Sequence, residues 1–269
     1  VLKEREGEAK VLAGGHSLLP LLKFRLAAPS VLVDLRGVDG LDGISDTGDG
    51  LRIGALATHR QILESPATER YPLMRETAAG IGDPQVRNWG TIGGSCAHAD
   101  PASDWPAVLL AVKGVLVCRS ADGEREIGAR DFFLDVFTTA IEPAELLTEI
   151  RTPRRPSGGG GAYRKLERRA GDFATVGVAV KLVLADGVIS DAGVGLTAVP
   201  SPLAATDAEA ALMGSPPTEE TFAAAADAAA AQSNPTADAH GPADYKRAMV
   251  REMTLRALRA AHERAVANA

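Results

Sequence analysis

The amino-acid sequence predicts an α+β protein in two parts. Three Asp-Gly pairs, at residues 49–50, 122–123 and 186–187, each lie between short strand-like runs, which is a strong signal for a β-hairpin. The last quarter of the chain is rich in Ala and places apolar residues near helical spacing. We therefore expect a mixed N-terminal part to about residue 153 and a C-terminal part in which an antiparallel sheet precedes helices.

Short elements are expected in the first fifty residues. The apolar run before Gly14-Gly15 predicts a strand that stops at this glycine pair. Ser17 is a candidate N-cap for a helix in which Pro20 falls in the first turn, where a missing N–H costs nothing. We expect a charged helix end over 1–8, with the chain starting partway into that helix, a strand over 10–13, a helix over 17–24 and a buried strand over 31–35.

The stretch from residue 44 to residue 153 is predicted to contain hairpins and helices. Asp49-Gly50 and Asp122-Gly123 mark two hairpin turns, and Thr58 is a candidate helix N-cap. We expect strands over 44–47, 51–55, 115–118, 124–127 and 145–151, helices over 58–63, 72–81 and 106–112, and a loop or short helix over 131–137.

A linker is predicted between the two parts. Residues 154–162 contain Pro156, Ser157 and four consecutive glycines, a composition typical of a domain junction. The expected division is one domain over 1–153, the linker, and a C-terminal domain over 163–269. In the C-terminal domain we expect strands over 175–184 and 188–199, and helices over 207–213, 218–232 and 244–267.

Composition excludes several classes of function. The chain has 269 residues, 45% of them hydrophobic and 24% charged, which is the profile of a globular protein with a sizeable core. The formal net charge of −6 argues against a general nucleic-acid-binding protein, which has a basic excess. No segment approaches the ~20 consecutive apolar residues of a membrane-spanning helix. We therefore expect neither nucleic acid as a partner nor a membrane span.

Cysteine usage argues against a metal cluster on this chain. Only Cys96 and Cys118 are present. Their spacing fits no zinc or iron–sulfur ligand pattern, and two thiolates cannot hold a cluster that takes four. We expect two unpaired thiols, as in a cytoplasmic protein.

Two glycine pairs predict a phosphate site. Gly14-Gly15 is followed by His16 and Ser17, and Gly93-Gly94 lies between Thr91 and Ser95. Glycine lets the backbone turn sharply and approach a ligand closely, and successive N–H groups then form a concave nest for an anion. Two nests favour a pyrophosphate over a single phosphate, and the two segments are expected to form two walls of one site.

This pattern differs from the two common phosphate motifs. A Rossmann fingerprint needs G-x-G-x-x-G within one strand–turn–helix unit, and a P-loop needs Gly-Lys followed by Ser or Thr. Neither follows either glycine pair. Because a single glycine pair is usually only a turn, the prediction rests on the two pairs together.

Polar side chains near the glycine pairs have alternative roles. Asp104 is a candidate acceptor for a ribityl or ribose hydroxyl or for a ring N–H, and also a candidate N-cap of the helix that follows. His16 and His98 have no other metal-ligating residues around them. Ser95 and Ser103 have no credible His and Asp partners for a hydrolase triad. The Arg and Lys cluster after the glycine run is either a cofactor contact or ordinary surface charge.

Three segments, Ala13 to Pro20, Thr91 to Asp104 and Tyr163 to Ala174, together resemble the FAD-binding medium subunit of molybdenum hydroxylases. The resemblance is nearest to the aerobic carbon monoxide dehydrogenase branch of the xanthine dehydrogenase family and covers nearly the whole chain. It implies a fold like that of vanillyl-alcohol oxidase and p-cresol methylhydroxylase, with FAD between two α+β subdomains whose boundary is near residue 35. It also implies a C-terminal domain with a three-stranded antiparallel sheet and helices. The FAD contacts that it implies are Ala13, Gly14, Gly15, His16, Ser17, Thr91, Ile92, Gly93, Gly94, Ser95, Asp104, Arg164 and Lys165.

The function that this resemblance implies is electron transfer, with no catalytic residue on this chain. FAD takes electrons from [2Fe-2S] clusters and passes them to a quinone or another acceptor. Two cysteines cannot hold these clusters, so they are expected on an iron–sulfur small subunit, and the molybdenum cofactor on a large subunit. We expect a heterohexamer in the cytoplasm, or held at the inner face of the membrane through the complex.

Carbon monoxide is the substrate that the resemblance favours for the whole complex. A purine, an N-heterocycle or an aldehyde is the alternative, because substrate choice lies on the large subunit. An alternative of another class is a nucleotide-binding scaffold without redox activity. Loss of the glycine pairs would favour that alternative.

Overall fold

The N-terminal unit is small and has almost no core. The structure, a computed structural model, describes residues 1–199 and 202–269. Strands β1 (Ala9–Leu12) and β2 (Val31–Asp34) pair in parallel, and helix α1 (Leu18–Lys23) lies between them in the chain. Among residues 1–49, only Leu35 is buried. This unit therefore buries few side chains, either within itself or against the rest of the chain.

The helix end predicted over 1–8 is wrong, because residues 2–8 form turns. Gly7 has a φ of 77°, and this left-handed conformation interrupts a helix. Ser17 occupies the N-cap position of α1 as predicted, but its side chain makes no capping hydrogen bond.

A five-stranded antiparallel sheet forms the middle of the chain, with helices packed on it. Its strands are β3 (Ile44–Asp46), β4 (Gly50–Gly54), β5 (Val115–Ser120), β6 (Gly123–Gly128) and a longer strand, Leu146–Pro153. Between them come α2 (His59–Glu64), α3 (Pro72–Gly80), α4 (Pro84–Trp89), α5 (Ile92–His98), α6 (Asp104–Val112), α7 (Ala129–Phe132) and the short strands β7 (Phe133–Asp135) and β8 (Thr138–Thr139). With Leu146–Pro153 numbered β9, the strand order is β3-β4-β9-β5-β6. Both predicted hairpins are present, and Thr58 caps α2 through a reciprocal pair of hydrogen bonds with Gln61.

Helices α4 and α5 have no counterpart in the sequence prediction. Asp83 caps α4 by accepting a hydrogen bond from the Val86 amide, and Thr91 caps α5 by accepting one from Gly94. Glycine is a poor helix former, which hides α5 in the sequence. Position 93 requires glycine because Ala55 packs closely against it: a Cβ built on Gly93 would lie only 2.4 Å from the Cβ of Ala55.

The C-terminal unit is an antiparallel sheet covered by helices. Its elements are β10 (Gly159–Leu166), β11 (Val176–Ala185), β12 (Val188–Thr197), β13 (Leu203–Ala204), α8 (Thr206–Leu212), α9 (Glu219–Gln232) and α10 (Ala243–Val266). The strands pair in chain order, and the short β13 adds a fourth strand to the three that were expected. In the described ranges 1–199 and 202–269, no helix is both long and apolar enough to cross a membrane.

The second half of the predicted linker is instead a buried strand. Gly159, Gly160 and Gly161 begin β10 and are buried, so only residues 154–158 connect β9 to β10. A Cβ on Gly160 would lie 2.0 Å from the backbone oxygen of Ala261 in α10. The glycines therefore allow the helix to approach the strand, a role that composition does not distinguish from flexibility. The domain boundaries themselves stay a prediction.

The middle and C-terminal units meet where α6 packs on β12. A Cβ on Gly193 would lie 1.8 Å from the Ala111 oxygen, and one on Gly195 would lie 1.9 Å from the Ala107 oxygen. These glycines give α6 a flat surface on the sheet, so that helix and strand backbones touch.

We expect Gly195→Ala to lower the free energy of unfolding by about 1–3 kcal/mol, because the added methyl group overlaps a backbone oxygen that cannot move freely. Gly43→Ala is the matched control, since a Cβ there meets no atom within 4 Å. Urea denaturation would measure both. Equal stability of the two variants would show that α6 does not contact β12 in this way.

Candidate functional site

The first glycine pair forms a loop with unused backbone donors. The chain leaves β1 at Leu12 and enters α1 at Leu18, and Gly15 takes a φ of 80° to make the turn. Within the described ranges, the amides of residues 14–17 donate no hydrogen bond to the protein. Four unpartnered amides in succession are the donors that an anion-binding nest requires, as predicted for this segment.

The second glycine pair does not form such a nest. The amides of Ile92 and Gly93 donate to Ala57 and Ala55, at 3.1 and 2.9 Å. Those of Gly94 and Ser95 donate to the side chain and backbone oxygens of Thr91. The prediction of a second set of free amides is therefore wrong, because Thr91 caps α5 and uses them. This segment offers hydroxyl groups instead, on Thr91 and Ser95.

The structure brings the two segments together, as the sequence predicted. A Cβ on Gly14 would lie 1.9 Å from the Trp89 oxygen and 3.1 Å from the Gly90 Cα, directly before Thr91. A Cβ on Gly94 would lie 3.5 Å from that of Ala13. Only a residue without a side chain can occupy position 14, and it places the free amides next to the start of α5.

His59, which the sequence analysis did not single out, lies beside these segments. The side chain is 4% exposed, and its Nδ1 accepts a hydrogen bond of 3.1 Å from the Trp105 indole. Burial lowers the pKa of His59 to about 3, and charges on His16 and Arg87 add to this effect. The imidazole is therefore neutral near neutral pH. Its backbone N–H also donates to the Gly90 oxygen, at 3.0 Å.

Asp104 is buried and is not the N-cap of α6. Ser103 occupies the N-cap position, so the capping interpretation is wrong. The Asp104 carboxylate accepts hydrogen bonds from the Tyr163 hydroxyl and from Lys165 Nζ, the latter at 3.2 Å. Burial raises the pKa of Asp104, and Lys165 partly offsets this rise. A flavin contact at Asp104 would therefore share the carboxylate with two protein donors.

The neighbouring Arg164 has a different environment from Lys165. Its guanidinium pairs with Glu76 of α3, which Arg264 of α10 also contacts at 2.8 Å. This network ties three elements of the two larger units together. Of the two predicted flavin contacts on this strand, Lys165 hydrogen-bonds to Asp104, whereas Arg164 is paired with Glu76.

The remaining candidates form no metal or nucleophile site. Among the described residues, no group of three or more His, Cys, Asp or Glu side chains could hold a metal ion. Cys96 and Cys118 are free and buried, and burial raises the pKa of both thiols, that of Cys118 to about 11. The hydroxyls of Ser95 and Ser103 hydrogen-bond to each other at 2.6 Å, and His98 packs on Phe137.

Two known domain families together match most of the chain. Residues 1–155 match the family described as the FAD binding domain in molybdopterin dehydrogenase, and residues 161–261 match the CO dehydrogenase flavoprotein C-terminal domain. The chain belongs to this FAD-binding family of molybdopterin dehydrogenases. The resemblance read from the sequence motifs is therefore confirmed.

Individual members of the family are similar in sequence and in structure. The chain is 42% identical to the carbon monoxide dehydrogenase medium chain of Hydrogenophaga pseudoflava, over 98% of this chain and 93% of the relative. It is 40% identical to the nicotine 6-hydroxylase medium subunit of Paenarthrobacter nicotinovorans, over 96% and 91%.

Solved structures of two such enzymes confirm the predicted fold class. A carbon monoxide dehydrogenase from Hydrogenophaga pseudoflava superposes with a TM-score of 0.95 at 45% identity, covering 98% of this chain and 92% of that one. Quinoline 2-oxidoreductase from Pseudomonas putida 86 gives 0.91 at 34% identity, with coverage of 98% and 92%.

We expect the low pKa of His59 to make stability fall in acid. The unfolded chain takes up a proton at this residue below its ordinary pKa of 6.5, whereas the folded chain does so only at about 3. Stability is therefore fully present above pH 6.5 and is lost as the pH falls. The loss from about pH 7.5 to pH 5 is roughly 2 kcal/mol. Between these two pH values, the free energy of unfolding measured with urea should fall by roughly 2 kcal/mol less in His59→Gln than in the unsubstituted chain. Equal falls in the two proteins would contradict the low pKa of His59.

Proposed function

We propose that this chain is the FAD-binding electron-transfer subunit of a molybdenum hydroxylase complex, with carbon monoxide dehydrogenase as the best-supported activity. The observation that carries the proposal is the run of four unpartnered amides at residues 14–17, held against the start of α5. This geometry fits a pyrophosphate, the part of FAD that carries the negative charge. It occurs in a chain whose family binds FAD.

The predicted contacts divide into three groups in this proposal. Residues Ala13, Gly14, Gly15, His16 and Ser17 bind the pyrophosphate through the backbone. Residues Thr91, Ile92, Gly93, Gly94 and Ser95 form the facing wall, with Thr91 and Ser95 as hydroxyl donors. Asp104 of α6 and Arg164 and Lys165 of β10 lie near the flavin. FAD supplies the redox chemistry when bound, and these residues hold it in position and shield it from water.

Partner chains supply the other cofactors in this proposal. Both thiols of this chain are buried, and two cysteines cannot ligate a [2Fe-2S] cluster. We infer an iron–sulfur small subunit as electron donor and a molybdenum-containing large subunit as the site of substrate oxidation. A quinone or another acceptor then takes the electrons from FAD. The complex is proposed to lie in the cytoplasm or at the inner face of the membrane.

The relatives support carbon monoxide as the substrate, with an N-heterocycle as the second candidate. Carbon monoxide dehydrogenase medium chains of Hydrogenophaga pseudoflava and Afipia carboxidovorans are each 42% identical to this chain. The medium subunit of nicotine 6-hydroxylase is 40% identical to this chain. The difference in sequence identity between the two candidates is therefore small. The free amides at residues 14–17 disfavour a scaffold that has lost its cofactor.

Substrate-dependent flavin reduction separates the two candidates. We expect carbon monoxide, added without air to the complex purified with its partner chains, to bleach the flavin absorbance, because electrons then reach FAD. Nicotine, a purine and an aldehyde are the comparison substrates. Bleaching by one of these but not by carbon monoxide would exclude the first candidate and keep the flavoprotein assignment.

We expect Gly14→Ala to remove most FAD from the purified complex, because its methyl group displaces the loop from the Trp89 oxygen and misaligns the amides. Loss of two or more hydrogen bonds to a charged group weakens binding by about a hundredfold or more. Flavin released on denaturation, per mole of chain, is the measurement. Gly43→Ala is the control, and FAD content equal to that control would refute the amide assignment.

A further inference from the structure

His59 carries a hydrogen-bond donor that the fold leaves unused. A neutral imidazole has one N–H and one acceptor nitrogen. Since Nδ1 accepts from the Trp105 indole, the hydrogen of His59 must lie on Nε2. In the described ranges, this Nε2–H donates to no protein atom. The side chain is 4% exposed, and Nε2 is not a fully buried unpaired atom, so this donor lies at the edge of the ring that a group from outside the chain can reach.

The two ring nitrogens of His59 are available for different partners. Nδ1 accepts from the buried Trp105 indole, and phenylalanine at this position would leave that N–H without an acceptor. The Nε2–H has no acceptor among the described residues and is therefore available to an acceptor that comes from outside the chain.

The position of Nε2 points to the cofactor site. A Cβ on Gly90 would lie 2.7 Å from Nε2, and the Gly90 Cα would lie 3.1 Å from a Cβ on Gly14. One residue, Gly90, therefore contacts both the imidazole and the loop of free amides. His16, in that loop, is near enough for its charge to act on His59.

We propose that His59 is a further FAD-binding residue, whose Nε2–H donates to the pyrophosphate held by the amides of residues 14–17. This inference rests on the proposed FAD function. Trp105 is a positioning residue in it: the indole N–H holds the imidazole in the tautomer that donates towards the cofactor. The donor remains uncharged, so that it binds an anion without the cost of burying a charge.

Two variants of His59 separate the donor from the packing. Asn places an amide near the Nδ1 position, keeps an acceptor for Trp105 and loses the donor at Nε2. Gln places its amide near Nε2, keeps the donor and gives up the acceptor. We expect His59→Asn to weaken FAD binding by the complex about tenfold to a hundredfold, as for a hydrogen bond to a charged group. His59→Gln should stay within about threefold of the unsubstituted chain on the same grounds.

FAD dissociation constants, from flavin fluorescence on dilution of the purified complex, provide the readout, with thermal midpoints measured alongside. Trp105→Phe tests the positioning role: it removes the indole hydrogen bond that selects the donating tautomer but leaves His59 in place, so it should lower the thermal midpoint and weaken FAD binding by less than His59→Asn does. Equal weakening in the Asn and Gln variants, or unchanged binding in His59→Asn, would overturn the role of Nε2. Absence of FAD from the unsubstituted complex would instead overturn the proposed function.

Discussion

Backbone contact at glycine is the constraint on which the arrangement of this structure depends. Gly14 lies against the Trp89 oxygen, Gly195 against the Ala107 oxygen and Gly160 against the Ala261 oxygen, each at a distance that a Cβ would occupy. The first contact joins the N-terminal unit to the middle one, and the second joins the middle unit to the C-terminal sheet. Such contacts contain no side chain that could change rotamer, so the main chain itself fixes how the units sit together.

The candidate cofactor site lies at the first of these contacts. The same glycine that lets the loop approach Trp89 also begins the run of unpartnered amides, so docking of the unit and orientation of the donors are one event. Thr91 and His59 lie on the other side of the contact and belong to a well-buried core. Donors held in this way are preorganised, and a ligand that meets them avoids the entropy cost of ordering a loop.

Features that depend on residues close together in the sequence were predicted better than features that depend on contacts between distant parts of the chain. The Asp-Gly hairpins and the Thr58 cap depend on residues a few positions apart, and the structure has them as predicted. The two glycine pairs were found, but no local signal separates their roles, because Gly93 packs against Ala55 and Gly14 against Trp89, both far away in the chain. The glycine run at 158–161 was misread for the same reason. His59 has no local mark at all, since Trp105 is 46 residues away.

Residues 1–49 contain a single buried side chain, Leu35, and this has a consequence for how the protein opens. A segment that buries little apolar surface unfolds locally without the rest of the chain, and its amides exchange with solvent early. A dinucleotide bound to its loop stabilises the closed state by mass action. If FAD binds this loop as proposed, resistance of the first fifty residues to proteolysis becomes a measure of cofactor occupancy.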